Sequence, residues 1–403
     1  MRRLCQFILV VCLLCPLGCR TESSTNPVNP DAPVVRVRVL DGEVAVGVIA
    51  DRPVVRVGAT PVAATFPPGP AVRVALGNNG WIIGNQQLPP GELILQPTRE
   101  GGVVVNGMAY RGQLRFVSAG GGKFDVVNDV EIDDYLKGVV AKEMLSGWSD
   151  EAYKAQAIIA RTYAIFEAKS APAGRSWDLF PDQRSQVYGG LAGETAKSRS
   201  AVDTTKGTVV AYGPVGSEKI FKAYFSSCCG GVGQNPTDGL NEPFHPAMVE
   251  QNVGQLCAAS PRFNWGPVVV TKAELTRRIK LFGKSRDRAE QNLTAVARID
   301  KQAVNKYGRS VRFLVTDVNG TRYSLSGEEL RWAVNTDAPK TAILFSSFIE
   351  PADAGDSIRF TGHGFGHGVG MCQWCAQIRS LQGMKHDEIV LLAYPGSKLL
   401  QAY

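Results

Sequence analysis

From Val34 to about Asp125 the chain alternates apolar and polar residues in short runs. Val35-Arg36-Val37-Arg38-Val39-Leu40 has the period of two that a half-buried strand needs, Asp41-Gly42 supplies a hairpin-type turn, and Val44 to Ile49 resumes the pattern. Leu93-Ile94-Leu95 and Val103-Val104-Val105 continue it, punctuated by Gly and Pro. Residues 34–125 are therefore expected to be β-rich, and no repeat of fixed period runs through them.

Near Val130 the period lengthens. Ile132-Asp133-Asp134-Tyr135 opens a helix with acids in its first turn, where the positive end of the dipole favours them, and Leu136, Val139, Val140 and Met144 extend it. Trp148-Ser149-Asp150-Glu151 starts a second, longer helix with Ser149 as its N-cap and Ala152, Ala155, Ile158, Ile159, Thr162 and Phe166 as its buried face. Mixed strands follow, Gly207–Tyr212 among them. Surface helices are expected from Lys272 to about Gly308, and a last helix from near Met371, because Cys372, Cys375 and Ile378 recur at i, i+3 and i+6. The whole pattern predicts an α+β fold: mixed sheets with a few helices around a substrate groove, behind a β-rich N-terminal region.

At 403 residues and 44% hydrophobic content the chain can bury one large core or two ordinary ones. The net charge of +7 comes without any Lys/Arg block carrying interleaved aromatics, so nucleic acid is not an expected partner.

The first residues change the picture more. Met1-Arg2-Arg3, the apolar run Leu4–Leu14 and the small-residue end Cys15-Pro16-Leu17-Gly18-Cys19 have the layout of an export signal, too short for a comfortable membrane span. Bacterial lipoprotein signals end in a similar box, whose cysteine takes the lipid. Here that residue is Cys19, with Pro16 where the box usually carries Leu. Residues 1–19 are thus read as a lipoprotein-like signal and 20–33 as a polar Ser/Pro/Asn tether. The mature protein is expected in the extracytoplasmic cell envelope, anchored to the membrane through Cys19. Its other cysteines are Cys228, Cys229, Cys257, Cys372 and Cys375, an odd number that leaves at least one thiol out of intramolecular pairing.

Glu143 is the first candidate for chemistry. Tyr135, Val139 and Glu143 fall on one helical face, so the carboxyl lies beside an apolar, aromatic strip that disfavours its charged form. A carboxyl held protonated can serve as a general acid; a plain helix-end glutamate is the alternative. Arg161, with Ile158 before it and Ile165 after, is a buried cation that needs a partner, either a catalytic carboxylate or a structural one.

Two glycine-rich stretches remain. Phe225 to Gly231 ends a strand on a tight turn, and Gly362, Gly364, Gly366, Gly368 and Gly370 alternate around His363 and His367. A helix through five such glycines would lose about 1 kcal/mol at each. A strand would leave one side bare for a backbone or a flat ligand, and would hold the two histidines roughly 13 Å apart, too far for one metal ion. The expectation is a groove wall and no histidine metal site.

In this order, residues 126–144 (VVNDVEIDDYLKGVVAKEM), 155–164 (AQAIIARTYA), 185–190 (SQVYGG), Tyr224-Phe225-Ser226-Ser227 with Gly230-Gly231, 366–373 (GHGVGMCQ) and Tyr394-Pro395-Gly396 resemble the SpoIID/LytB family of bacterial cell-wall proteins. The resemblance covers roughly residues 100 to 400, and marks 126–403 as a SpoIID-like catalytic region. It implies a lytic transglycosylase that cuts peptidoglycan between N-acetylmuramic acid and N-acetylglucosamine in peptide-free strands, leaving a 1,6-anhydro-muramic end. The family's motif glutamate falls on Glu143. Arg161 is expected to orient or charge-balance it, and Gln186, Tyr188, Ser227, His367 and Gln373 to line the glycan groove. The other reading in the family is a non-catalytic enhancer of an N-acetylmuramoyl-L-alanine amidase.

Some relatives carry a His/Cys zinc site just before QVY, but here Trp177 to Ser185 contains neither residue. No cofactor is required for the chemistry. Some of Cys228, Cys229, Cys257, Cys372 and Cys375 are expected to meet in space, as a disulfide, which an exported protein favours, or as a structural zinc site.

Overall fold

The computed structural model describes residues 32–98 and 101–403. The expected export signal, Cys19 and nearly all of the tether lie outside the described residues.

The N-terminal region is two antiparallel six-stranded sheets. The first runs, in spatial order, through Val34–Glu43, Lys123–Glu131, Gln113–Gly120, Leu93–Gln96, Val54–Val57 and Thr60–Pro61. The second runs through Met108–Tyr110, Val103–Val105, Ala45–Ile49, Val72–Gly77, Gly80–Ile83 and Gln86–Gln87. Alternation in the sequence becomes alternation in burial: Val35, Val37 and Val39 point inward while Arg36 and Arg38 stay partly exposed. Trp81 of the second sheet meets Phe116 and Phe124 of the first edge-on, at 6.0 and 5.2 Å between ring centroids, so the inner faces of the sheets share these rings.

The helices among the described residues are α1 (Ile132–Glu143), α2 (Asp150–Ser170), α3 (Ala196–Thr204), α4 (Pro236–Leu240), α5 (Lys272–Ser285), α6 (Gly327–Asn335), α7 (Gln373–Leu381) and α8 (His386–Ala393). Ser149 caps α2 as expected, its hydroxyl accepting the Ala152 N–H at 3.2 Å. α2 is buried on two sides. Ala152, Ala157, Ala160 and Ala164 join the core of the N-terminal sheets, along with Tyr135, Val139 and Val140 of α1. Ala155, Ile158 and Ile159 join a second cluster with Val210, Phe221, Met371 and Ile389. The β-rich region and the first two helices therefore share one core.

Residues 264–363 build a third core. Asn264–Thr271, Ser357–His363 and Phe348–Ala354 form one three-stranded sheet, Val296–Val304, Ser310–Asp317 and Arg322–Ser326 another, with α5 and α6 packed on them. The second half of the 272–308 stretch is thus strand where surface helix was expected. The chain ends by pairing Lys398–Gln401 with Thr208–Tyr212, after a helix, α8, that follows the one expected to be last.

Candidate active site

α1 brings Glu143 to the end of its last turn, over the buried side chains of Tyr135 and Val139. Its Oε1 accepts the backbone N–H of Val187 at 2.8 Å. Burial pushes this carboxyl above its ordinary 4.5 and the Val187 bond pulls it back; no charged side chain contributes. Glu143 also lies at the negative end of the α1 dipole, which opposes ionisation in the same sense as burial. Among the described residues it makes no ion pair, so burial is what raises this carboxyl.

The segment that supplies Val187 lies against α1 because a glycine allows it. A Cβ at Gly138 would stand 2.7 Å from the Gly190 carbonyl oxygen and 2.9 Å from the Tyr188 ring. Gly189 instead donates its N–H to the Gly138 carbonyl at 3.1 Å. Beneath this contact Gln186 accepts from the Tyr135 hydroxyl (3.2 Å) and Tyr188 donates to Asn128 (3.0 Å). Both side chains are buried, with their polar atoms bonded inside the protein. They form the floor under Glu143 and do not reach out to a ligand, which corrects their expected place in the groove.

Arg161 is corrected too. Its guanidinium meets Asp133, not Glu143, with Nε and Nη2 donating to Asp133 Oδ1 at 3.0 and 2.8 Å, and it adds bonds to the carbonyls of Thr208 and Val202. This buried pair joins α2 to the first turn of α1, the helix that ends at Glu143. The segment before QVY is held by an ion pair and a cation–π contact. Asp178 accepts from Arg36 N (2.9 Å) and Nε (3.1 Å), and Arg38 stacks over Trp177.

The glycine run is a coil and not a strand beyond His363. Gly364, Gly366, Gly368 and Gly370 all have positive φ, and what approaches their bare side is the protein's own chain. A Cβ on Gly370 would stand 1.9 Å from the Tyr224 carbonyl oxygen, and one on Gly368 2.3 Å from Arg309. His367 is used up locally: Nδ1 accepts the Val369 N–H at 3.1 Å, the ring bonds to the backbone of Phe225, and burial pushes it down to about 4. His363 instead faces Asn264, 2.7 Å away. The two rings do not share a site.

Gln373, at the start of α7, is buried and donates to Gln156 at 3.3 Å, a further departure from the expected groove position. Ser227 stays partly exposed, its carbonyl accepting the Trp374 N–H at 3.1 Å. Trp374 packs edge-on against Trp148, with centroids 5.1 Å apart, just beyond the α1 end that carries Glu143. Sequence reasoning passed over Val187, Trp148 and Trp374. Nothing in a backbone N–H is visible from sequence, but two tryptophans flanking motif residues are a signal that a sugar-binding reading can use. A separate open cavity of about 320 Å³ lies among Asn252, Phe263, Asn264, Phe348 and His363, and Glu143 is not part of its lining.

Residues 120–212 match the family model described as SpoIID, Stage II sporulation protein. The matched stretch holds Glu143, Val187, Gly138 and the Asp133–Arg161 pair together. Over this stretch the chain is similar to the SpoIID family. It is 29% identical over 295 residues to an uncharacterized protein of Brachyspira hyodysenteriae, covering 73% of each chain. It is 29% identical over 292 residues to the Stage II sporulation protein D of Bacillus subtilis, covering 68% of this chain and 76% of that one. Similarity to the Bacillus subtilis amidase enhancer is 26% over 303 residues, 66% of this chain but 40% of the longer relative. A cell-wall related role, and with it extracytoplasmic action, goes with this SpoIID match. No helix among the described residues is long and apolar enough to cross a membrane.

Proposed function

We propose that this protein is a lytic transglycosylase that cleaves peptidoglycan glycan strands between N-acetylmuramic acid and N-acetylglucosamine, acting on peptide-free strands from a lipid-anchored position in the envelope. The observation that carries the reading is the setting of Glu143: a carboxyl raised by burial, with one backbone donor and, among the described residues, no ion pair. Ordinary glycoside hydrolysis needs two carboxyl groups, one of them to activate water or attack the sugar. A transglycosylase needs one. The Glu143 carboxyl protonates the oxygen of the departing N-acetylglucosamine as the C1–O bond breaks. The muramic C6 hydroxyl then attacks C1, and its proton passes to the Glu143 carboxylate, which restores the acid and leaves the 1,6-anhydro ring. No water is consumed.

The Val187 N–H gives the intermediate carboxylate a hydrogen bond, while burial and the helix end favour the protonated form. Trp374, partly exposed beside Trp148, offers an aromatic face of the kind that sugars stack on.

A second reading, a non-catalytic wall protein that enhances a separate amidase, is favoured by the relative of that name. Glu143→Gln separates the two. An enhancer keeps its stimulation of an amidase in that variant; a transglycosylase loses anhydro-ended products.

A further inference from the structure

The five cysteines among the described residues meet in one buried cluster, all as free thiols. The Sγ atoms of Cys229, Cys257, Cys372 and Cys375 lie within 4.8 Å of one another. We propose that these four residues hold one structural zinc ion, on a site distinct from the stretch before QVY.

Spacing favours metal over disulfides. Cys229 Sγ and Cys257 Sγ are 3.7 Å apart. A disulfide brings sulfurs to about 2.05 Å. Four thiolates at about 2.3 Å around one zinc ion are tetrahedral, which sets neighbouring sulfurs near 3.8 Å. Cys228 stands outside the set, with its thiol directed at the Cys257 carbonyl, 3.9 Å away. The odd count of cysteines is thereby explained as four ligands and one buried thiol.

The surroundings are built for thiolates. Cys372-Gln373-Trp374-Cys375 is a C-x-x-C at the start of a nine-residue helix, and Cys372 is the N-cap of α7. Its Sγ accepts the N–H of Cys375 at 3.4 Å and the N–H of Cys229 at 3.3 Å. Backbone donors and the positive helix end stabilise a sulfur anion far more than a neutral thiol.

A second, independent observation concerns charge. Arg309 is wholly buried, and its Nη atoms bond the carbonyls of Cys229 (3.1 Å), Val232 (2.7 Å) and His367 (3.1 Å) and the Ser347 hydroxyl (2.9 Å). Among the described residues it makes no ion pair, and its Nε has no partner. A buried cation with no anion bonded directly to it is costly. Zinc with four thiolates carries a net charge of −2, and Arg309, bonded to the backbone of a ligand residue, is placed to offset it.

The four thiols fill the coordination sphere, so the ion has no open position and its role is structural. It ties the Ser226–Gly231 turn to the Cys257 loop and to the start of α7.

The test is metal content of the full chain purified without chelator in mild detergent. The result expected is one equivalent of zinc per chain by mass spectrometry of the element, released when a mercurial titrates the thiols. Cobalt substitution is expected to give the charge-transfer and d–d bands of a tetrathiolate site. Cys228→Ser keeps the full equivalent, while Cys257→Ser loses it. Wild-type protein that is metal-free and gains mass on reduction, or metal-free with all thiols open to alkylation, overturns the proposal whatever the variants do.

Discussion

Glu143 and His367 titrate in opposite senses, and each carries a prediction. Glu143 is raised above 4.5, so the folded state favours its neutral form. That contribution to stability is complete below the unfolded value and is lost as pH rises through the folded one. Activity follows the same group, and kcat is expected to decline along a single limb as pH rises past a point above 4.5, as a pH–rate profile on glycan strands will read. Glu143→Gln keeps an oxygen for the Val187 N–H, so the fold is expected to survive while turnover drops about 10²–10⁴-fold. His367 is depressed from 6.5 to about 4. Its share of stability is present above 6.5 and is lost as pH falls toward 4, and His367→Asn is expected to flatten that acid limb in urea titrations. Glu143 was legible because helical period alone sets residues 135, 139 and 143 in line. The task of His367 was not, because its partners Val369 and Phe225 depend on the path of a glycine coil.

At the scale of elements, two contacts hold α1 where Glu143 needs it. Arg161→Ala leaves Asp133 buried without its cation, and is expected to cost about 3–5 kcal/mol in denaturant unfolding. Gly138→Ala drives a methyl into the Gly190 carbonyl. That overpacking is expected to cost about 1–3 kcal/mol. It also moves Val187 away from Glu143, so the basic limb of the pH–rate profile shifts upward, a change that a purely structural defect would not produce. The starts of α1 and α2 and the Ser149 cap were readable because caps and dipole acids are local. The partner of Arg161 lies 28 residues away on another helix, and no local pattern names it. The run from Lys272 read as helix throughout because the charged residues of Val296–Val304 sit on an exposed edge whose burial pattern barely alternates.

Across the whole molecule, the N-terminal sheets and α1–α2 share one apolar cluster. Residues 126–403 expressed alone are therefore expected to melt far below the full chain or to stay unfolded, as thermal circular dichroism will report. Division of the sequence at residue 126 marks a change of period and not a boundary between cores. The resemblance motifs converge only in part: residues 135–190 assemble around Glu143, whereas the Ser227 and His367 segments knit into the cysteine-rich turn. That division was hidden because motif order says nothing about which buried side of a segment faces which core.

The central claim is tested by incubating the full chain in mild detergent with peptide-free glycan strands, beside Glu143→Gln, and identifying the products by mass spectrometry. The account predicts fragments ending in 1,6-anhydro-N-acetylmuramic acid that are lost in the variant. Reducing-end products would mean that water attacks and a second carboxyl takes part, and intact strands with the wild-type protein would contradict the enzyme altogether.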